Sequence, residues 1–189
     1  SHLTGKLLKE GNRVICVDNF ELGRKENLAM YSDNSNLEII ELDVSEVDKF
    51  SDLLAEKKID RIYHLAANSD IQKSARMPGV DFKNTFSTTY SVLEGMRRNG
   101  IKKLFFASTS AVYGDKAGVN LTENIGSLSP ISYYGGAKLA SEAFISSYAY
   151  MNEMEVLIGD KDEQRASIKE LLRTLLKARE KDLSKSQFY

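Results

Sequence analysis

Lys103-Leu-Phe-Phe-Ala-Ser-Thr-Ser110 reads as a short apolar strand ending in three hydroxyl side chains, and Tyr134-Gly-Gly-Ala-Lys138 opens the helical pattern downstream of it. The same alternation extends outward from this unit. Strands are expected near 13–18, 37–43, 60–67, 103–110 and 155–158, and helices over about 1–10, 46–58, 81–99 and 134–152. Short apolar runs alternating with helices argue for the α/β class, with a doubly wound parallel sheet covered by helices on both faces. Gly11-Asn12 and Asn99-Gly100 stop two of the helices, and Ser45 is the expected cap ahead of Val47, Phe50, Leu53 and Leu54.

Tyr134 and Lys138 stand four residues apart, on one face of a helix, so an ammonium sits near a phenol. A free phenol titrates near ~10 and is a poor base at neutral pH, but a neighbouring cation favours its phenolate. Tyr134 is then a base for a substrate hydroxyl, and Thr109 at the strand end holds the same oxygen. Alone, the spacing is weak: about one such pair is expected by chance, and an exposed helix with a snorkelling lysine explains the bare pair better. The strand-end Ser108-Thr109-Ser110 and the loop Pro130-Ile-Ser-Tyr-Tyr134 give it context.

Further segments fall in order along the chain: Val17-Asp-Asn19, Asp43-Val44, His64-Leu-Ala-Ala67, Asn84 and Ser108-Thr-Ser-Ala-Val-Tyr-Gly114. From Ser1 to about Ile158 the chain resembles the extended short-chain dehydrogenase/reductases, in particular NAD-dependent epimerase/dehydratases of the UDP-glucose 4-epimerase type. The resemblance implies a Rossmann-like domain over 1–158, NAD as cofactor, a nucleotide-sugar substrate such as a UDP-sugar, and Thr109, Tyr134 and Lys138 as the catalytic set. Asp18 ends a strand where a dinucleotide-binding fold places the carboxylate that accepts ribose hydroxyls, which favours NAD over NADP, although Arg24 lies nearby. An Asp-Asn pair is also ordinary turn chemistry. By resemblance, Asp43 and Val44 flank the adenine, Leu65, Ala66 and Ala67 line the pyrophosphate path, and Asn84 lies near the cofactor. Core packing competes for Leu65 to Ala67, and helix capping for Asn84. Asn19, Ser108, Tyr134 and Lys138 complete the expected cofactor contacts.

At 42% hydrophobic and 28% charged residues, the composition is that of a soluble globular domain. A net charge of -1 offers no field for nucleic acid, and no apolar run reaches membrane-spanning length. The single cysteine, Cys16, has no internal disulfide partner and is expected to be a buried thiol; with no signal peptide visible, the expected location is cytoplasmic. His2 and His64 lack companions at metal-ligand spacing, so no metal is assigned, and His64 reads as a packed strand-end residue.

Both ends depart from the family pattern. No Gly-x-x-Gly-x-x-Gly turn is present, so the domain is expected to be incomplete at its N-terminus, lacking the strand that a 3-2-1-4-5-6 sheet places between 13–18 and 60–67. That leaves a gap of unpaired backbone, weaker folding and reduced NAD affinity. After Ile158 the substrate lobe gives way to a tail, 159–189, where Ile168, Leu171, Leu172, Leu175 and Leu176 share a helical face; an amphipathic covering helix is expected. By resemblance, a 4,6-dehydratase carries Asp-Glu immediately after the catalytic threonine. Here Ser110 and Ala111 stand there, which favours 4-epimerisation, while decarboxylation remains open. The alternative is a truncated, noncatalytic protein that associates through its helices; related epimerases pair through helices corresponding to 81–99 and 134–152, which implies a homodimer.

Overall fold

All five strands of the described residues pair in parallel, as the alternation predicts, but in two separate sheets. The computed structural model describes residues 1–116 and 126–159. Strand β1 (Val14–Asp18) pairs with β2 (Leu37–Glu41), from Val14 opposite Leu37 to Asp18 opposite Glu41. Strands β3 (Arg61–His64), β4 (Lys103–Ala107) and β5 (Glu155–Gly159) form the second sheet, with β4 in the middle. The helices are α1 (His2–Lys9), α2 (Val47–Lys57), α3 (Ile71–Arg76), the single turn α4 (Gly79–Asp81), α5 (Thr88–Arg98) and α6 (Tyr133–Asn152). Short 3-10 segments occupy Lys25–Tyr31 and Ser110–Tyr113. None of these helices is long and apolar enough to cross a membrane.

The core gathers around β4. Leu104 and Phe106 meet Val92, Leu93 and Met96 of α5, Phe50 and Leu54 of α2, and Ile145 of α6. Helices α2 and α5 approach closely because Gly95 has no side chain: a Cβ there would lie 3.0 Å from Leu54 Cδ1. The predicted stops hold. Gly11 and Gly100 adopt φ of +80° and +66°, and Asn12 and Ile101 donate back to the carbonyls of Leu7 and Met96.

Three local readings are corrected. Ser45 does not cap α2: its hydroxyl donates to Asp43 Oδ1 at 2.7 Å, and Glu46 occupies the cap position. Its backbone N–H donates to the same Asp43 oxygen at 2.9 Å, so Ser45 is held in a turn closed by Asp43, one residue ahead of the cap position. The helix expected over 81–99 is broken by a π-helical turn, Phe82–Ser87, between α4 and α5. There Thr85 accepts from the backbone of Asn68, and Asp81 accepts from Asn68 Nδ2 at 2.9 Å and from Ser74 Oγ, so side-chain demands override a plain α-helical run. Cys16 is half-buried rather than buried, with Thr4 Oγ1 at 3.5 Å from its sulfur.

The gap expected between 13–18 and 60–67 is present. No ladder joins β1 to β3; between them lies a cavity of about 1210 Å³ walled by both strands. Beyond Gly159, the tail and its expected amphipathic helix fall outside the described residues.

Candidate active site

At the carboxyl end of β4 the chain leaves the sheet through Ser108, whose N–H donates to the Gly159 carbonyl at 2.7 Å, and Thr109, which remains extended. Thr109 Oγ1 then accepts from Ala111 N at 3.3 Å and so starts the turn Ser110–Tyr113. Helix α6 begins against this turn. Ser132 caps it by accepting from Gly135 N at 3.0 Å, and Gly135 permits the approach, since a Cβ there would lie 2.6 Å from the Ala111 carbonyl oxygen. One helical turn therefore seats Tyr134 and Lys138 against the end of β4. Both are buried, at 8% and 1% exposure.

Lys138 Nζ donates to the Ala107 carbonyl at 2.6 Å and lies 4.4 Å from the Phe106 ring centroid and 5.9 Å from that of Tyr134. A buried ammonium is tolerated here because a carbonyl and two π faces replace part of its hydration. Thr109, Tyr134, Lys138 and Ser108 are thus gathered at one place. Ser108 Oγ also donates to Glu142, one turn beyond Lys138. The i,i+4 relation of Lys138 and Glu142 was the available signal for that residue, and sequence reasoning missed it.

Beneath the site, His64 is buried at the end of β3, with Nε2 3.0 Å from Thr89 Oγ1. Thr89 gives its single proton to the Thr85 carbonyl at 2.8 Å, which assigns the donated proton in the first contact to His64 Nε2. Burial, reinforced by the Lys138 charge, pushes His64 down to about 3, so the imidazole is neutral at physiological pH. It is a packed neighbour of Phe106, with ring centroids 5.5 Å apart.

The remaining expected residues lie around the carboxyl ends of β1, β2 and β3. Asp18 is exposed; its Oδ1 accepts from Phe20 N at 2.8 Å, and a Cβ on Gly23 would sit 2.8 Å from Oδ2, so the absence of a side chain at Gly23 lets the carboxylate pack there. Asn19 Oδ1 accepts from Glu21 N at 3.1 Å. Leu65 and Ala66 are exposed just past β3, with Ala67 half-buried, which sets aside core packing for the first two. Asp43 accepts from Ser45 and pairs with Lys83 at 3.0 Å. Its burial favours the neutral acid, but the Ser45 hydrogen bonds and Lys83 outweigh this and hold it below the usual carboxylate range. Val44 is turned into the core.

Asn84 lies inside the π-helical turn instead of capping a helix, and its amide donates to Glu21 Oε2 at 3.3 Å. Lys73 reaches the other oxygen of Glu21 at 2.9 Å. Glu21, Lys73 and Lys83 carry no periodic signature, and nothing in the sequence links segments so far apart. Among the described residues no group of three or more His, Cys, Asp or Glu side chains could hold a metal ion.

Comparison with known proteins places this geometry. Residues 1–163 match the family described as GDP-mannose 4,6 dehydratase. UDP-arabinose 4-epimerase 1 of Arabidopsis thaliana is 32% identical over 165 residues, covering 84% of this chain and 38% of the relative. UDP-glucose 4-epimerase of Corynebacterium glutamicum is 32% identical over 143 residues, 76% of this chain and 41% of the relative. Among solved structures, the UDP-Glc/GlcNAc 4-epimerase of Campylobacter jejuni superposes with TM-score 0.79 at 27% identity, over 84% of this chain and 48% of that one. The UDP-glucose 4-epimerase of Thermotoga maritima with UDP-glucose gives 0.76 at 29%, over 83% and 50%. The Thermus thermophilus UDP-glucose 4-epimerase complex with NAD gives 0.75 at 26%, over 83% and 49%. The chain thus spans half or less of the length of these relatives. Its matched segment, its parallel sheets and its Thr109, Tyr134 and Lys138 cluster agree: the chain belongs to the GDP-mannose 4,6 dehydratase family, among the epimerases and dehydratases of the extended short-chain dehydrogenase/reductases.

Proposed function

We propose that this site serves NAD-dependent 4-epimerisation of a UDP-sugar, with Tyr134 as the base that takes and returns the 4-hydroxyl proton. The observation that carries the reading is the seating of Tyr134, Lys138 and Thr109 against the end of β4. Thr109 Oγ1 holds the same oxygen, and Lys138, fixed by the Ala107 carbonyl, supplies positive charge beside the phenol. The crevice fits the cofactor on its own geometry: an exposed Asp18 carboxylate packed against Gly23 at the end of β1 suits ribose hydroxyls and repels a 2′-phosphate, and exposed Leu65 and Ala66 leave room for a pyrophosphate. Asp18, Asn19, Asp43, Val44, Leu65 to Ala67, Asn84 and Ser108 would hold it, and when bound it supplies a reversible hydride acceptor. Ser110 and Ala111 offer neither the acid nor the base that eliminating water would need, which favours epimerisation. The lone, unpaired Cys16 supports a cytoplasmic setting.

Association through the helical run 81–99, which includes the π-helical turn, and α6 belongs to the same reading. Phe82, Phe86 and Phe144 form an outward cluster, with centroids 5.9 and 5.0 Å apart, and Phe82 and Phe144 remain 64% and 43% exposed. A contiguous aromatic patch of this kind suits the face of a homodimer. The test is Tyr134→Phe, assayed for interconversion of UDP-glucose and UDP-galactose and by sedimentation. The expected loss is about 10²–10⁴-fold in kcat with association unchanged and NAD still bound, since only the phenol oxygen is removed. Association without NAD binding or turnover in the parent protein would instead establish the noncatalytic reading.

A further inference from the structure

We propose that Glu142 is a positioning residue of the Tyr134 site: by accepting the Ser108 hydroxyl proton it sets where the next residue, Thr109, presents its Oγ1. That role rests on the epimerase reading, in which Thr109 holds the reacting oxygen. Helix α6 meets the end of β4 turn by turn along one face. Gly135 packs against the Ala111 carbonyl, Lys138 Nζ donates to the Ala107 carbonyl at 2.6 Å, and Glu142, four residues further on, takes the Ser108 hydroxyl. Tyr134, Lys138 and Glu142 thus follow one another at four-residue steps, and the last of them acts on the residue beside Thr109.

Ser108 is held at two points. Its N–H donates to the Gly159 carbonyl at 2.7 Å, beside the ladder to β5, and its side chain reaches α6. One hydrogen bond fixes a point on the chain; a second, off the backbone axis, fixes the rotation of the strand end about that point. Thr109 inherits this rotation because it continues in extended conformation, with φ of -161° and ψ of 147°. The acceptor is suited to the task. Ser108 is 4% exposed, where an unmatched hydroxyl is costly, and it has a single proton to give. A carboxylate makes the bond charge-assisted, about twice as strong as a neutral one, and so holds one orientation. Docking of the helix does not depend on this bond, since Ile145 is fully buried with Leu104 and Phe106 and Lys138 already ties α6 to β4. What Glu142 adds is control of the single residue that precedes Thr109.

The test uses Glu142→Leu, Glu142→Gln, Ser108→Ala and the double variant with Leu and Ala. Glu142→Leu and Ser108→Ala should each lower kcat for interconversion of UDP-glucose and UDP-galactose about tenfold to a hundredfold, with KM for the sugar changed by less than about twofold. The double variant should be no slower than the slower single one, because both remove the same contact. Glu142→Gln keeps an acceptor of the same length and should recover most of the loss. The Ala111 amide, which donates to Thr109 Oγ1 at 3.3 Å, reports the displacement without turnover. Its exchange should quicken about tenfold in the Leu and Ala variants and much less in Glu142→Gln, while the Phe105 amide in β4 is unchanged. Unchanged kcat in Glu142→Leu, a loss that Gln does not recover, additive losses, or equal acceleration at Ala111 and Phe105 would overturn the proposal. So would a silent Ala111 amide, with or without turnover. A parent protein without turnover whose Ala111 amide still responds would remove the epimerase reading and keep Glu142 as the residue that places Thr109.

Discussion

Strands β4 and β1 are both five-residue parallel strands, but among the described residues β4 has a neighbour on each edge and β1 has only one. The consequence is visible in their side chains. From Leu104 to Ala107 everything in β4 is fully buried, whereas Ile15, Cys16 and Val17 of β1 are half-buried against the cavity. The groups proposed for proton transfer are built on β4: Lys138 hydrogen-bonds its last carbonyl, and Thr109 follows it within two residues. Those proposed to hold the cofactor ribose follow β1, and polar contacts tie that side to the rest: Lys73 and Asn84 with Glu21, and Lys83 with Asp43. The proposed chemistry, which requires fixed geometry, therefore falls on the side with a completed core, and the proposed ligand contacts fall on the side with the open edge.

The largest test of this contrast is a pair of truncations. Phe106→Ala opens a cavity at the best-packed point of the molecule and should cost about 3–5 kcal/mol, a large share of a domain stability of about 5–15 kcal/mol. Ile15→Ala removes a side chain that already faces open space and should cost about 1 kcal/mol. Urea unfolding of both variants measures the difference. Equal losses would mean that β1 is as well supported as β4.

His64 sharpens the same contrast through pH. Its pKa is about 3 in the fold against an ordinary 6.5, so between these values the unfolded chain binds a proton that the folded chain excludes. Stability must then fall as pH falls through this window, by about 1.4 kcal/mol per pH unit. From pH 6.5 to 5, where ordinary carboxylates remain ionised, the expected loss is about 2 kcal/mol. His64→Gln keeps a donor toward Thr89 without titrating and should flatten the slope. Parallel pH profiles for the two proteins would remove His64 from the account.

How much was legible in advance follows the same division. Tyr134, Lys138 and Thr109 were readable because their relations are local: a four-residue helical spacing and the end of an apolar strand. The gap beside β1 was readable because strand order fixes where an absent strand belongs. The π-helical turn was not, since a 3.6-residue pattern assumes regular hydrogen bonding, and Thr85 and Asp81 answer instead to Asn68 on a distant loop. Ser45 misled because its N–H and hydroxyl both donate back to Asp43 Oδ1, which fixes it in a turn ahead of the helix instead of at the cap. Glu21 was invisible for the opposite reason: its partners Lys73 and Asn84 are 52 and 63 residues away.

Glu21 also supplies the smallest and most local test. Lys73 and Asn84 hold its carboxyl below the usual range, yet the pair with Lys73 is exposed, so its net worth is at most about 1 kcal/mol. Glu21→Ala should barely shift global unfolding. If these contacts tether the two-stranded side, amide exchange in Val14–Asp18 should quicken up to about fivefold while Lys103–Ala107 is unchanged, because a loss of about 1 kcal/mol in a local opening equilibrium is read only where that opening occurs. High salt should reproduce the effect in the parent chain and add little in the variant, since it screens the same exposed pair. Uniform acceleration across both strands would show instead that β1 and β4 open together, and that the open edge of β1 does not make it a separate unit of stability.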